Sequence, residues 1–181
     1  MIHKWKFISR KPLLNHPRMA IVEDTVELPN GKQTTYVRQA PVEGYGVAVI
    51  ALNDKGELLL QREYSYPPDE VLYQLPGGGA KQGEDIMEAG NRELSEESGY
   101  VGADCRVIGS LYVNNRRSDG KQFVVLCKGL QRQKLSEDDE EFIESEWVSF
   151  ARLTDLIRVG KVTNINLLAA LQLYTACCEL P

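Results

Sequence analysis

Acidic side chains crowd around one arginine in the segment 78–99 of this chain. The sequence predicts a helix that begins near Asp85, which places Glu93 and Glu97 one turn apart on one face, with Glu96 three residues beyond Glu93. Like charges at this spacing repel each other by a few tenths of a kcal/mol per pair in an isolated helix. A hard divalent cation reverses the sign, because Mg²⁺ prefers carboxylate oxygens and usually shares its coordination shell with substrate phosphates. We therefore expect the helix to serve as a platform for a metal ion.

The same segment resembles the signature of the Nudix hydrolases, G-x5-E-x7-R-E-U-x-E-E-x-G-U, where U is a bulky apolar residue. Only the last position departs, since Tyr100 stands where the stricter form has an aliphatic residue. A solvated acidic helix face is the plain alternative, but it explains neither the glycines at the front of the segment nor the one at its end. The fixed positions are filled at the right spacing by Gly78, Glu84, Arg92, Glu93, Leu94, Glu96, Glu97 and Gly99.

The resemblance implies the Nudix fold, an α/β/α sandwich with a mixed β-sheet, and the pattern along the chain agrees with an α/β class. Residues 1–42 are predicted as an N-terminal β-hairpin extension and residues 43–181 as the hydrolase domain. In the extension, strand-like residues on either side of 29–32 are joined by an Asn-Gly turn signal. In the domain, apolar runs at 46–52 and 57–62 are predicted as a pair of strands buried on both faces. Further strands are predicted at 105–113, 122–127 and 146–150, and helices at 153–159 and 164–177.

Length and composition exclude several classes of partner and site. The chain has 181 residues and a net charge of −5, so it lacks the basic surface that long DNA or RNA requires. Its start lacks the apolar core of a secretion signal, and no uncharged run is long enough for a membrane span. The two histidines disfavour a histidine triad or a zinc site. The four cysteines show no metal-ligand spacing, and we expect reduced thiols in a cytoplasmic protein; they are Cys105, Cys127, Cys177 and Cys178.

The resemblance also implies roles for individual residues of the metal site. It implies Mg²⁺ as the cofactor, with Mn²⁺ as an alternative. Arg92 is expected to orient the helix glutamates by salt bridges, and Glu84 to support the loop before the helix. The expected metal ligands are the carboxylates of Glu93 and Glu97, that of Glu96 directly or through a water, and the backbone carbonyl of Gly77.

The general base stays open between two sources. In some family members a helix glutamate serves, whereas in the ADP-ribose pyrophosphatase branch a carboxylate from a later loop contributes. The matching loop here is 137–144, in which Asp139 falls at the place of the base and Glu141 at a place that contacts the metal. A solvated acidic loop is an equal alternative for this run. The residues with an expected catalytic role are therefore Arg92, Glu96, Glu97, Asp139 and Glu141.

Similarity beyond the signature, over roughly residues 35–175, points to ADP-ribose and related nucleoside diphosphate sugars as substrates. In the enzymes that cleave them, the arginine that matches Arg62 lies in the substrate pocket. After Tyr112, which is a candidate for stacking on a base, the loop departs from the Ser-Pro-Gly turn that is frequent there. We expect Arg116 or Arg117 to reach the substrate's phosphates, because a guanidinium fork suits them. An ordinary exposed arginine is an equal alternative for each.

The expected activity is metal-dependent hydrolysis of a nucleoside diphosphate derivative to a nucleoside monophosphate and a sugar phosphate. Two alternatives stay open. One is an enzyme for dinucleoside polyphosphates or oxidised nucleotides, and the other is a Nudix domain that senses a nucleotide without cleaving it. A small nucleotide is the expected ligand, without nucleic acid or membrane partners. We also expect a homodimer, because the exposed edge of an N-terminal hairpin seeks a partner.

Overall fold

The computed structural model of the protein describes residues 2–133 and 142–178. Contacts divide the chain into two compact units: the N-terminal unit, Met1–Glu43 with Tyr112–Gly120, and the α/β unit, Gly44–Leu111 with Lys121–Pro181. None of the described helices has the length and apolar character needed to cross a membrane. The elements in chain order are β1 (Lys6–His16), β2 (Met19–Glu27), β3 (Gln33–Gln39), β4 (Gly46–Ala51), β5 (Leu58–Ser65), β6 (Glu70–Gln74), α1 (Ile86–Ser98), β7 (Tyr100–Tyr112), β8 (Lys121–Arg132), β9 (Ile143–Val148), α2 (Phe150–Arg158) and α3 (Ile165–Cys177).

The N-terminal unit is built on a three-stranded antiparallel sheet in the order β1-β2-β3. The predicted hairpin is confirmed by β2 and β3, and its turn places Gly31 at a φ of 82°, which favours glycine. The side chain of Asn30 accepts a hydrogen bond from the Lys32 N–H at 3.1 Å and closes the same turn. The strand β1 was not predicted, because all of its residues are exposed and their pattern carries no alternation.

A buried carboxylate ties the three strands of this sheet together. Asp24, on β2, is 6% exposed. Its two oxygens accept hydrogen bonds from Arg10 on β1 at 2.6 and 2.9 Å, and Arg38 on β3 donates a further bond at 3.3 Å. The bonds from Arg10, more than the Coulomb attraction, hold the pKa of Asp24 below its ordinary value. A buried charge is therefore paired on both sides, as such groups require.

The α/β unit contains two three-stranded sheets, in the orders β4-β8-β7 and β6-β5-β9. The strand β4 runs parallel to β8, with Val49 opposite Val125, whereas β5 is antiparallel to both β6 and β9. The prediction that the runs at 46–52 and 57–62 pair with each other is wrong. In the described chain these strands belong to different sheets and share one isolated bridge, between Leu52 and Leu58. A strand that is buried on both faces suits the parallel partner that β4 finds in β8.

Two apolar clusters hold the helices against these sheets. Alternate residues of β4 and β8 face opposite sides, so Val49 and Val125 pack with Leu94 of α1, which is fully buried. The other faces of the same strands join a larger cluster with the helices α2 and α3. This arrangement gives the predicted α/β/α layering with a mixed set of strands. The larger cluster includes Ala48, Ile50, Leu60, Val124, Leu126, Leu153, Leu156, Leu167 and Ala170.

Cys105 and Cys127 form a disulfide between the neighbouring strands β7 and β8, with an S–S distance of 2.11 Å. The prediction of reduced thiols is therefore wrong for this pair. Nothing in the spacing of the cysteines indicated it, because they lie 22 residues apart and only the sheet brings them together. Gly102 leaves the space that the bridge needs, since a Cβ there would lie 2.7 Å from the Sγ of Cys105. Cys177 and Cys178 are free thiols.

Candidate active site

The acidic helix α1 begins and ends at the residues that the sequence indicated. Asp85 is the N-cap, and its side chain accepts a hydrogen bond from the Met87 N–H at 2.8 Å. Gly99 is the C-cap with a φ of 70°, and its N–H donates to the carbonyl of Ser95. These caps set the helix in register with the turn that precedes it, and that register decides which way the glutamates point.

The glycine turn before the helix can approach its surroundings closely because it lacks side chains. A Cβ on Gly77, which has a φ of 155°, would lie 2.2 Å from the carbonyl oxygen of Val47 on β4. A Cβ on Gly78 would lie 2.7 to 2.8 Å from the carboxylate atoms of Glu93. The turn is also bonded along β4, since the Val47 N–H donates to the carbonyl of Gly78 at 2.8 Å. The turn is therefore packed between β4 on one side and the carboxylate of Glu93 on the other.

Glu93 and Glu97 are both held at this turn. The Gly77 N–H donates a hydrogen bond to Oε2 of Glu97 at 3.0 Å. Glu93 fills the space that the missing Cβ of Gly78 leaves. The side chain of Glu93 is only 12% exposed. Two carboxylates one helical turn apart therefore meet at one short stretch of backbone, as expected of residues on one face of the helix.

Arg92 organises the remaining acidic groups. Its guanidinium donates to both oxygens of Glu84, at 2.8 and 3.0 Å, and to the carbonyl of Gly79 at 3.0 Å. Its Nη1 group donates to Glu93 at 2.8 Å and to Glu96 at 2.7 Å. These bonds raise the pKa of Arg92 above its ordinary value, with the largest contribution from Glu84. The arginine thus links the loop before the helix to two helix glutamates.

The environment of Glu84 favours its charged form strongly. The hydrogen bond from Arg92 is the largest cause, followed by the backbone N–H of Lys81, which donates to Oε2 of Glu84 at 2.8 Å. Together they lower the pKa of Glu84 to about 2. Glu84 therefore stays ionised across the whole physiological range and acts as a fixed anchor for Arg92.

The donor set of this cluster consists of hard oxygens. Four carboxylates, those of Glu84, Glu93, Glu96 and Glu97, face two cations, Arg92 and Lys81, so the group carries an excess of negative charge. Within residues 2–133 and 142–178, no three His, Cys, Asp or Glu side chains are gathered closely enough to form a ready-made metal site. One oxygen of Glu93 and one of Glu96 are instead paired with the guanidinium group of Arg92. The chemistry of these donors nevertheless fits a hard divalent cation, because Glu93 and Glu97 bring carboxylate oxygens to the same glycine turn.

The candidate substrate residues lie in both units. Arg62, on β5 of the α/β unit, donates to Glu144 at 3.3 Å, and its guanidinium lies 5.9 Å from the ring centre of Tyr73. Arg116, Arg117 and Tyr112 belong to the N-terminal unit.

Within the N-terminal unit, Arg117 is engaged by its own neighbours. It donates to the carbonyl of Val37 at 2.7 Å and lies 5.8 Å from the ring centre of Tyr36. The carbonyl of Arg116 accepts from the Tyr36 hydroxyl at 2.6 Å, whereas Tyr112 is 55% exposed. The side chain of Arg117 thus carries a structural role that its sequence context did not reveal.

Asp139 and Glu141 lie outside the described residues, but the chain on both sides of them is described. Gln133 is fastened to the end of α1, because its N–H donates to the carbonyl of Gly99 at 2.8 Å and its side chain accepts from Ser95 at 3.3 Å. On the other side, Ile143 pairs with Glu63 of β5. The described chain before the acidic segment therefore ends beside the C-terminus of α1.

Asn91, which positions the helix α1, was not predicted from the sequence. The side chain of Asn91, in the middle of α1, donates to the carbonyl of Gly102 at 3.1 Å and accepts from its N–H at 2.8 Å. This pair of bonds fixes the rotation of the helix against β7. Asparagine is a poor residue for a helix interior, and that mismatch is the signal that could have revealed it.

Known proteins resemble this chain over nearly its whole length. It is 26% identical over 169 residues to an ADP-ribose pyrophosphatase of Bacillus subtilis (strain 168), a match that covers 92% of this chain and 90% of the relative. It is 28% identical over 158 residues to the ADP compounds hydrolase NudE of Escherichia coli (strain K12), covering 84% of each protein. A crystal structure of an ADP compounds hydrolase has the same fold, with a TM-score of 0.89 at 23% identity over 97% of this chain and 95% of the other.

The family assignment follows from the domain as a whole. The family model of the NUDIX domain matches residues 42–170, which include the glycine turn, the acidic helix and all of the strands from β4 to β9. The predicted fold, with its sandwich and N-terminal hairpin, is confirmed by this match and by the solved structure. The chain belongs to the Nudix family of pyrophosphohydrolases and resembles its ADP-ribose pyrophosphatase branch.

Proposed function

We propose that this enzyme hydrolyses the diphosphate bond of a nucleoside diphosphate sugar, with ADP-ribose as the first candidate, and releases a nucleoside monophosphate and a sugar phosphate. The observation that carries the proposal is the convergence of Glu93 and Glu97 on the turn at Gly77 and Gly78. Similarity to an ADP-ribose pyrophosphatase and to an ADP compounds hydrolase supports the choice of substrate.

A divalent metal ion is part of this proposal, since Nudix hydrolases generally use one. Mg²⁺ is the first candidate and Mn²⁺ the second. The residues that would hold it are Glu93 and Glu97, with Glu96, the carbonyl of Gly77 and Glu141 as further oxygen donors. When bound, such an ion neutralises phosphate charge and lowers the pKa of a water molecule.

The residues around the carboxylates have positioning roles in this proposal. Arg92 holds Glu93 and Glu96 in fixed orientations, and Glu84 fixes Arg92 in turn. In the α/β unit, the guanidinium group of Arg62 is the candidate for meeting the diphosphate. For the N-terminal unit, Arg116 or Arg117 as a phosphate ligand and Tyr112 as a partner of the base stay predictions from the sequence.

The proton of the attacking water must pass to a carboxylate, for which the helix and the acidic loop compete. Glu96 and Glu97 are the candidates on the helix, and Asp139 is the candidate in the loop. Changing Asp139, Glu140 and Glu141 singly to their amides separates the two, since unchanged turnover in all three variants excludes the loop.

A substrate panel tests the proposal. Purified protein is incubated with ADP-ribose, a nucleoside diphosphate hexose, a dinucleoside polyphosphate and an oxidised nucleotide, each with Mg²⁺, with Mn²⁺ and with a chelator. We expect AMP and ribose 5-phosphate from ADP-ribose, and no turnover in the chelator. A preference for the dinucleoside polyphosphate or the oxidised nucleotide favours the corresponding alternative, and no turnover of any diphosphate favours a sensor.

Two further parts of the proposal concern assembly and location. The outer strand β1 is exposed along its whole length and carries exposed apolar side chains at Phe7, Leu13 and Leu14. Such an edge suits pairing with a second copy, so we propose a homodimer, which light scattering tests.

We also propose a cytoplasmic location, which cell fractionation tests. This location would expose the Cys105–Cys127 bridge to reducing thiols.

A further inference from the structure

The α/β unit contains a cavity of about 110 Å³ whose walls are uncharged. Four carboxamide side chains line it, and the other lining residues are glycine or aliphatic. No ionisable and no aromatic residue is among them. The cavity is far larger than the 10–15 Å³ or so that a single ordered water requires. Its lining consists of Val47, Ala48, Gln74, Leu75, Gly77, Gln122, Asn164 and Asn166.

Two of these carboxamides, Gln122 and Asn164, have hydrogen-bonding capacity that the described protein does not use. Oε1 of Gln122 is buried and has no partner among the described residues, and its Nε2 makes only a long contact of 3.5 Å with the carbonyl of Val47. Asn164 uses its oxygen to cap α3, accepting from Asn166 and Leu167 at 2.9 and 3.1 Å, which leaves its amide nitrogen as a donor. Buried polar groups of this kind normally have a partner.

The cavity adjoins the catalytic turn. Gly77 lines it, and the N–H of the same residue donates to Oε2 of Glu97 at 3.0 Å. The same residue therefore borders both the cavity and the acidic cluster, so the cavity is placed to receive a group attached to a diphosphate at that cluster. This shared residue distinguishes the cavity from a surface hollow that is unrelated to the acidic cluster.

The chemistry of the walls selects the class of group that fits. A phosphate would call for guanidinium or ammonium groups, and a nucleobase is commonly held on an aromatic face, neither of which the cavity provides. Carboxamides both donate and accept, which matches the vicinal hydroxyls of a sugar. We propose that this cavity binds the hydroxyls of a sugar joined to the diphosphate and that Gln122 is a specificity-determining residue. The inference rests on the proposed hydrolysis of a nucleoside diphosphate sugar.

Gln122→Met tests it, because methionine keeps the length of the side chain and removes both amide atoms. Relative to the unaltered enzyme, we expect the KM for ADP-ribose to rise by about 3- to 10-fold, in keeping with one lost hydrogen bond. An alkyl ester of ADP, which lacks the terminal sugar, serves as the second substrate, and its KM is measured for both proteins. Gln172→Met is the matched control, since Gln172 is exposed on α3 and does not line the cavity. Asn166→Ala serves as the second variant if Gln122→Met does not fold.

Inhibition by products identifies which sugar is bound. A weaker inhibition of the variant by ribose 5-phosphate supports the terminal sugar. If AMP inhibits the variant less than the unaltered enzyme, and 2′,3′-dideoxy-AMP inhibits both equally, the result supports the sugar of the nucleoside. A loss that persists with the dideoxy compound assigns the cavity to the base and overturns the proposal, as does an unchanged response to all three.

Failure of this inference and failure of the proposed function are separate results. Turnover of ADP-ribose by the unaltered protein is measured first and decides the function. Calorimetric binding of ribose 5-phosphate and of AMP needs no turnover, so the comparison of Gln122→Met with the unaltered chain decides the subsite even if ADP-ribose is not cleaved. Equal affinities of the two proteins for both compounds would refute the sugar assignment.

Discussion

Arg92 grips both carboxylate oxygens of Glu84, with its Nε 2.8 Å from Oε1 and its Nη2 3.0 Å from Oε2. Two parallel bonds of this kind fix the plane of a guanidinium group. The remaining Nη1 group is thereby directed at Glu93 and Glu96. A residue from the loop before the helix thus determines the orientation of two carboxylates on the helix.

Arg92→Lys should lower kcat by about 10-fold or more, because an ammonium group is a point donor that cannot hold Glu84 by two parallel bonds and still reach Glu93. The measurement is kcat and KM for ADP-ribose together with the melting temperature. Arg158→Lys is the matched control, since the Arg158 side chain is 74% exposed and pairs with Asp155 within α2. An unchanged kcat in Arg92→Lys would show that the fork is dispensable.

Glu93→Gln and Glu97→Gln should each reduce kcat by about 100-fold or more, because an amide is a weaker ligand for a hard cation than a carboxylate. Binding of Mn²⁺, followed by electron paramagnetic resonance, should weaken in parallel. Glu88→Gln makes the same change on an exposed position of the same helix and should leave both quantities nearly unaltered. If the double variant at 93 and 97 keeps its activity, the metal platform is not where we place it.

The low pKa of Glu84 predicts a particular dependence of stability on pH. The folded pKa, about 2, lies below the ordinary value of 4.5, so ionised Glu84 stabilises the fold at any pH above that ordinary value. This contribution should decline as the pH falls from about 4.5 towards 2. Comparing the unfolding free energies of the unaltered protein and Glu84→Gln across this range measures it. A difference that does not shrink with falling pH would contradict the assignment.

Gly78→Ala should displace Glu93, because the added Cβ would lie 2.7 to 2.8 Å from its carboxylate. We expect weaker Mn²⁺ binding and a kcat lower by about 10-fold or more, at little cost in melting temperature, since the carboxylate is the end of a flexible side chain. Gly79→Ala is an unusually close control, because a Cβ there meets nothing within 4 Å. Similar losses in the two variants would indicate a general intolerance of the turn instead.

Removing the bridge between Cys105 and Cys127, by reduction or by changing both residues to alanine, should lower the free energy of unfolding by about 2–4 kcal/mol. The expected cause is a larger conformational freedom of the unfolded chain. Chemical denaturation with and without dithiothreitol measures the effect. The control is the protein with Cys177→Ala and Cys178→Ala, which keeps the bridge. If dithiothreitol destabilises the variant that lacks the bridge as much as it destabilises the unaltered protein, the effect belongs to other thiols.

The features that sequence predicted are those with short-range causes. The helix α1 carries its start at Asp85 and its stop at Gly99, and its glutamate spacing alone places Glu93 and Glu97 on one face. Pairings between distant segments were missed or wrong, such as β4 with β8 and Cys105 with Cys127, because nothing local encodes which segments meet. The partners of Arg117 were missed for the same reason.

The parallel pairing of β4 with β8 sets Val49 against Val125, two residues far apart along the chain. The whole of α1 lies inside the stretch that this pairing closes. Joining such remote segments has a large cost in chain entropy and is therefore slow compared with local structure formation. We therefore expect α1 to reach its final place together with the sheet of β4, β8 and β7, so that activity should be acquired during refolding on the same time course as burial of the strand residues.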